Sequence, residues 1–255
     1  MYDWANSAFA TTVMAGFFPI FFKSYWAADL SPTESTFVIG TASSLVGLFI
    51  AISAPVLGAL ADAGNVKKKF LFAFAAIGIV STGYLFFVPE SSWKLAITIY
   101  GLGVIGFSGG NIFYDALIIS VSKPEDRNKT SSLGFSLGYL GGGLLFFLNV
   151  MMYLYPGWFG FNSPIDAVLW SFLSVSVWWF VFSMPLFYAI SEEENTNHES
   201  ISLLVNRAFG NLYQTAKSIK KYKSAAIFLL SYFLYMDGVD TIIRMATSYG
   251  SDIGL

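Results

Sequence analysis

Three ionisable residues stand close together near the end of the chain, in YMDGVDTIIRM, Tyr235 to Met245. Asp237, Asp240 and Arg244 are spaced i, i+3 and i+7, so a helix would carry all three on one face. Asp240 and Arg244, four apart, can pair directly, which leaves Asp237 as the unbalanced acid. An unbalanced acid can take up and release a proton, while the pair can either grip a charged solute or serve structure alone. Asp115 is the other acid well inside an apolar run, one turn from Asn111. Asp3 and Asn6 repeat the spacing of Asp237 and Asp240 close to the N-terminus.

The segment before these charges, AAIFLLSYFL, reads as the first half of a membrane helix. On insertion scales a central Asp or Arg costs about 3 kcal/mol, and each Leu, Ile, Phe or Val returns about 0.5. Three charges at roughly 9 kcal/mol outweigh the ~4–5 returned by the apolar residues. Such a helix must turn its charges toward a bundle interior or a water-filled cavity.

Composition demands a membrane for the whole chain. Of 255 residues 55% are apolar and 12% are charged, against about 25% charge in a soluble domain. Stretches 4–26, 36–61, 70–88, 95–121, 133–155, 167–190 and 224–249 each meet the length of about 20 residues needed to cross as a helix. The fold class is therefore all-α, a polytopic transmembrane bundle. Acids and amides collect on spans one, four and seven, and the interiors of spans two, three, five and six carry no charge.

Lysine and arginine fix the expected orientation. Lys67, Lys68 and Lys69 follow span two, and Lys123, Arg127 and Lys129 follow span four. Arg207, Lys217, Lys220, Lys221 and Lys223 follow span six, while the alternate loops hold only Lys23 and Lys94. The positive-inside rule makes the first set, and the N-terminus, cytoplasmic. Trp158, Phe159 and Phe161 then form an aromatic belt at the outer face.

Three parts are expected: a six-helix bundle over 1–190, a linker over 191–223 and the first helix of a second half over 224–255. In the linker Ile201, Leu204, Val205, Ala208, Leu212, Ala216 and Ile219 recur at helical spacing, as in an amphipathic helix on the inner leaflet. A seventh span after a six-span unit, ending soon afterwards, predicts a protein of about twelve spans whose second half is missing here.

Several function classes fall away. Net charge is −2, which gives no reason to expect nucleic acid. There is no cysteine, and His198, the one histidine, sits in the acidic loop EEENTNHES without a second metal ligand nearby. HExxH and a metal-spaced His cluster are absent, so neither an enzyme nor a bound metal or cofactor is expected.

The loop GALADAGNVKKK resembles the signature of the major facilitator superfamily through Gly58, Leu60, Asp62, Gly64, Lys67, Lys68 and Lys69. Ala63 replaces the first basic residue of that signature, and Gly64 comes one position early. In the superfamily this loop latches the two halves together; a polar turn with orienting lysines is the plainer alternative. In span five, GFSLGYLGGG places Gly134, Gly138 and Gly142 four apart, a stripe for close helix packing. It also resembles the superfamily's antiporter motif, with Tyr139 in place of the proline.

YDWANSAFATT at 2–12 is similar to the opening helix of the vacuole-effluxer-like branch, whose best-known members export amino acids from the vacuole during autophagy and which has many bacterial relatives. FYDALI, LGYLGGG and YMDG fit the same branch, so the resemblance covers essentially the whole chain. It implies an exporter of a small solute, amino acids among the candidates, worked by alternating access; an aspartate that exchanges a proton would couple it to the proton gradient. Its site is expected at Asp3, Asn6, Asn111, Asp115, Asp237, Asp240 and Arg244, in a plasma membrane or, in a eukaryote, a vacuolar one. A receptor or scaffold on a transporter fold is the alternative.

Overall fold

The computed structural model describes residues 1–64, 66–190, 206, 209–210, 213–214, 217–218 and 222–252. Seven long helices account for nearly all of them: α1 Tyr2–Trp26, α2 Pro32–Gly64, α3 Lys67–Tyr84, α4 Trp93–Val121, α5 Arg127–Leu154, α6 Pro164–Ala189 and α7 Lys223–Asp252. Single 3₁₀ turns precede α5 and α6 and follow α3, and no strand occurs among the described residues. Helices α1 to α6 are long and apolar enough to cross a membrane, and the apolar stretch of α7 covers Lys223–Met236. The amphipathic helix expected in the linker falls largely outside the described residues. So do the side chains of Asp62, Asp237, Asp240 and Arg244.

Helix α1 is the centre of the bundle. Ala5, Ala8, Phe9, Val13, Phe18, Phe22 and Trp26 are fully buried along it, and α5, α6 and α7 all pack against it. It is not a uniform α-helix. Turns Phe9–Phe17 and Phe22–Trp26 are π-helical, separated by the short α-turn Phe18–Phe21. Runs of π-helix this long are rare, and they cluster where a helix does more than span.

Aromatic rings fill the half of the bundle around Trp26. Phe18 stacks on Tyr100 at 3.8 Å, Trp26 stacks on Phe172 at 5.7 Å, and the Trp26 indole donates to the Val88 carbonyl at 3.2 Å. Buried indole N–H groups need such an acceptor, because nothing in hydrocarbon replaces it.

Small residues let the backbones close up. A Cβ at Gly106 of α4 would fall on the backbone nitrogen and Cα of Gly78 in α3. On α5 a Cβ at Gly138 would sit 2.6 Å from Ser7 Oγ, and one at Gly142 would sit 2.9 Å from the Ser7 carbonyl. In lipid, where apolar burial drives little, this close approach supplies dispersion and short polar contacts between helices. Gly47 of α2 differs, since a Cβ there meets nothing within 4 Å.

Gly106→Ala is therefore expected to destabilise the bundle by about 1–3 kcal/mol, the cost of overpacking against atoms that cannot move aside. Gly47→Ala should cost nothing. The fraction of monodisperse protein after graded heating in detergent measures both, and equal thermal profiles would show that the α3–α4 crossing has slack.

Candidate functional site

Polar groups meet where the first turns of α1 pass the last turns of α4. Asp3 lies in the first turn of α1 but does not cap it; Met1 holds the cap position. Its carboxylate instead accepts a hydrogen bond from the Tyr114 hydroxyl at 2.7 Å. One turn further along α1 and one turn earlier on α4, Asn6 Nδ2 donates to Asn111 Oδ1 at 2.6 Å. Asn6 is buried, and the Tyr2 ring lies 4.9 Å from that of Tyr114. Two side-chain bonds thus rivet α1 to α4, each satisfying groups that lipid would leave bare.

Asp3, Tyr114 and Asp115 line a cavity of about 500 Å³. Its other walls come from Thr130, Ser131 and Phe135 of α5 and from Pro185 and Leu186 of α6. Asp115 is exposed there, and no Lys, Arg or His appears among the lining residues. Two carboxylates face one space whose lining holds no basic side chain.

A second cavity of about 660 Å³ lies between α2, α4 and α7. Gly40, Ser43, Ser44 and Gly47 form its α2 wall, Ser108 its α4 wall, and Phe233, Met236, Thr241 and Met245 its α7 wall. Its described lining carries no charge. Ser108, Asn111 and Asp115 are spaced i, i+3 and i+7, so one polar face of α4 runs from the neutral cavity, past the amide pair, to the acidic one.

The structure thus brings Asp3, Asn6, Asn111 and Asp115 together. Asp237, Asp240 and Arg244 lie on α7, whose residues Met236 and Thr241 line the neutral cavity; their own side chains are outside the described part. In the loop with the lysines, α2 runs to Gly64 and α3 opens at Lys67. Lys68 Nζ donates to the carbonyl of Ile190 at the end of α6, so this loop holds span six. Gly58 has open space where a Cβ would be. A Cβ at Gly134 would meet the Asp3 carboxylate, and Gly138 and Gly142 face Ser7, which sets the glycine stripe of α5 against the polar end of α1.

Tyr114 was not singled out from the sequence. Its only signal is position: it precedes Asp115 and stands three residues after Asn111. Thr11 and Ser108 belong to the same polar seam, and Thr11 Oγ1 donates to the Gly142 carbonyl at 3.1 Å.

Six membrane-length helices, α1 central among them, with polar groups gathered on one face, define a polytopic membrane bundle of the major facilitator type. Residues 31–253 match the family described as vacuole effluxer Atg22 like, and the chain belongs to that family. It is 37% identical over 257 residues to the uncharacterized MFS-type transporter YxiO of Bacillus subtilis, covering 100% of this chain and 60% of the relative. Autophagy-related protein 22 of Pichia angusta is 23% identical over 247 residues, covering 78% of this chain and 43% of the relative. Autophagy-related protein 22-2 of Aspergillus fumigatus is 24% identical over 277 residues, covering 78% and 44%. The chain thus spans about half the length of the curated relatives it matches. No solved structure matches it.

A double-mutant cycle tests the rivet between α1 and α4. Tyr114→Phe combined with Asp3→Asn should show a coupling of about 0.5–1.7 kcal/mol, the range measured for side-chain bonds between membrane helices. Thermal or denaturant unfolding in detergent supplies the four stabilities. Coupling indistinguishable from zero would mean that the Asp3–Tyr114 bond holds nothing in place.

Proposed function

We propose that the protein is a secondary active transporter, moving a small solute across the membrane by alternating access with a proton as the coupling ion. The carrying observation is the acidic cavity: Asp3 and Asp115 face one space between α1, α4, α5 and α6 whose lining holds no Lys, Arg or His. Charge at such depth is costly unless it is paired, hydrated or neutralised by a proton, and intramembrane acids accordingly mark ion and substrate paths. Asp3 already accepts from Tyr114, so Asp115 is the freer acid of the two. On α7 the spacing of Asp240 and Arg244 favours an ion pair, which leaves Asp237 as the second candidate for the proton.

The family's description as effluxers supports export, and amino acids, implied by the resemblance, head the substrate panel. Alternating access would be the rocking of one half of the transporter against the other around this site. The lysine-bearing loops support a cytoplasmic N-terminus, and on that orientation the acidic cavity opens at the inner end of the bundle.

Orientation has a direct test in a chain without cysteine. A cysteine replacing Asn162 should react with a membrane-impermeant thiol reagent on intact cells, and one replacing Asn65 should not. Labelling at Asn65 alone would invert the topology.

Transport is tested with the full-length protein in proteoliposomes bearing a pH gradient, offered a panel of labelled amino acids. Gradient-driven uptake or efflux is expected, with Asp115→Asn or Asp237→Asn abolishing its dependence on the gradient while leaving expression intact. A protein that binds a solute but never accumulates it would be a receptor on a transporter fold. Transport with an unchanged pH profile in both variants would remove the proton from these acids.

A further inference from the structure

The backbone of α1 is short of donors at one place. The Phe18 amide bonds back five residues to the Val13 carbonyl, and the Phe22 amide bonds back four to the Phe18 carbonyl. Between these bonds lie the carbonyls of Met14, Ala15, Gly16 and Phe17. The amides available to them are those of residues 19 to 21, and residue 19 is proline, which has none. With one donor for each acceptor, Ile20 and Phe21 can serve only two of the four. The return from π to α geometry and Pro19 together leave at least two carbonyls needing a donor from elsewhere.

Helix α7 supplies one. The Thr247 hydroxyl donates to the Ala15 carbonyl, across 232 residues of sequence. Next to Thr247, Met245 lines the neutral cavity, and its Cε lies 4.0 Å from where a Cβ on Gly40 of α2 would stand. The contact therefore sits at the end of that cavity away from the lysine-bearing loops. Ala15 carries one of the four carbonyls that compete for two amides, so the hydroxyl eases a donor shortage rather than adding to an intact ladder.

We propose that Thr247 and the carbonyl that Pro19 and the π-turn leave open on Ala15 form a latch that closes the outer end of the cavity between α2, α4 and α7. The latch rests on the alternating-access reading above and gives it a residue-level device. With it made, the cavity is shut from outside; with it broken, the outer ends of α1 and α7 are free to part. Position 247 requires a hydroxyl, and serine can replace threonine. Position 19 requires the absence of an amide, because a restored N–H competes for the same carbonyls.

The test uses the full-length protein in cells and in inside-out vesicles, with a cysteine introduced by Gly47→Cys, where a side chain meets nothing within 4 Å. The probe is a charged, membrane-impermeant methanethiosulfonate. With Thr247 intact, labelling should be faster from the cytoplasmic side than from outside. Adding Thr247→Val should raise the outside rate by about threefold to tenfold, in line with the loss of one interhelical hydrogen bond. Thr247→Ser should leave it unchanged, and Pro19→Ala should raise it in the same direction. An outside rate unmoved by both Thr247→Val and Pro19→Ala, with the sidedness retained, overturns the latch and leaves the transporter reading standing. Equal labelling from both sides with Thr247 intact overturns the closure itself and points to an open pore.

Discussion

In hydrocarbon every peptide carbonyl needs a donor, because water brings none, and α1 has fewer donors than carbonyls along part of its length. Two π-helical segments and Pro19 break the regular ladder. Neighbouring helices make up part of the shortfall or add to the ladder where it is intact. The Trp178 indole of α6 donates to the Trp4 carbonyl at 3.0 Å, and Thr247 of α7 donates to Ala15. The irregular helix is tolerated because it is central. Placed where no neighbouring helix could donate, the same irregularity would leave its carbonyls bare. Burial of α1 and irregularity of α1 are thus one requirement.

That requirement governs which residues stand around it. Trp178 can reach Trp4 because its ring also stacks on the Trp4 ring at 5.7 Å, so one side chain packs and donates at once. Glycine on α5 brings its backbone close enough for Thr11 to reach the Gly142 carbonyl. Exposed apolar side chains elsewhere, such as Phe37, Leu45 and Ile52 of α2, need no such explanation. Against lipid tails an exposed leucine costs nothing, so the energetic pressure in this fold falls on polar groups and close backbone crossings.

This is also why some features were legible in the sequence and others were not. Helix number and position follow from hydropathy, since a charge in lipid costs several times what an apolar residue gains. Asp3, Asn6, Asn111 and Asp115 stood out for the same reason: polar groups are rare in such a chain. Tyr114 did not, because tyrosine is common here and its hydroxyl is a minor part of a largely apolar ring. The π-turns left no trace beyond Pro19, since phenylalanine and threonine fit either helix. Asn149 was also missed; it is fully buried on α5 and accepts from Ser174 of α6 at 3.0 Å. A lone amide inside an apolar run signals a partner without saying which helix supplies it.

One helix carries both the acid end and the vacated carbonyl. Asp3 and Ala15 are twelve residues apart, so about three turns of α1 separate the cavity wall from the contact with α7. Asn6 and Asp3 bind that helix to α4 at one end, while Ala15 meets α7 nearer the other. In the proposed transporter, a solute or proton at Asp3 and Asp115 would move the contact with α7 only if it bound one placement of α1 better than another. The hydrogen bonds to Tyr114 and Asn111 make that difference physically available. Neutralising Asp3 weakens its bond to the Tyr114 hydroxyl, since a bond to a charged acceptor is roughly twice as strong as one to a neutral acceptor. The hold of α4 on α1 then loosens, and the hub is freer to shift against α7. Coupling between the two ends needs no chain of intermediates beyond the rigid body of α1 itself.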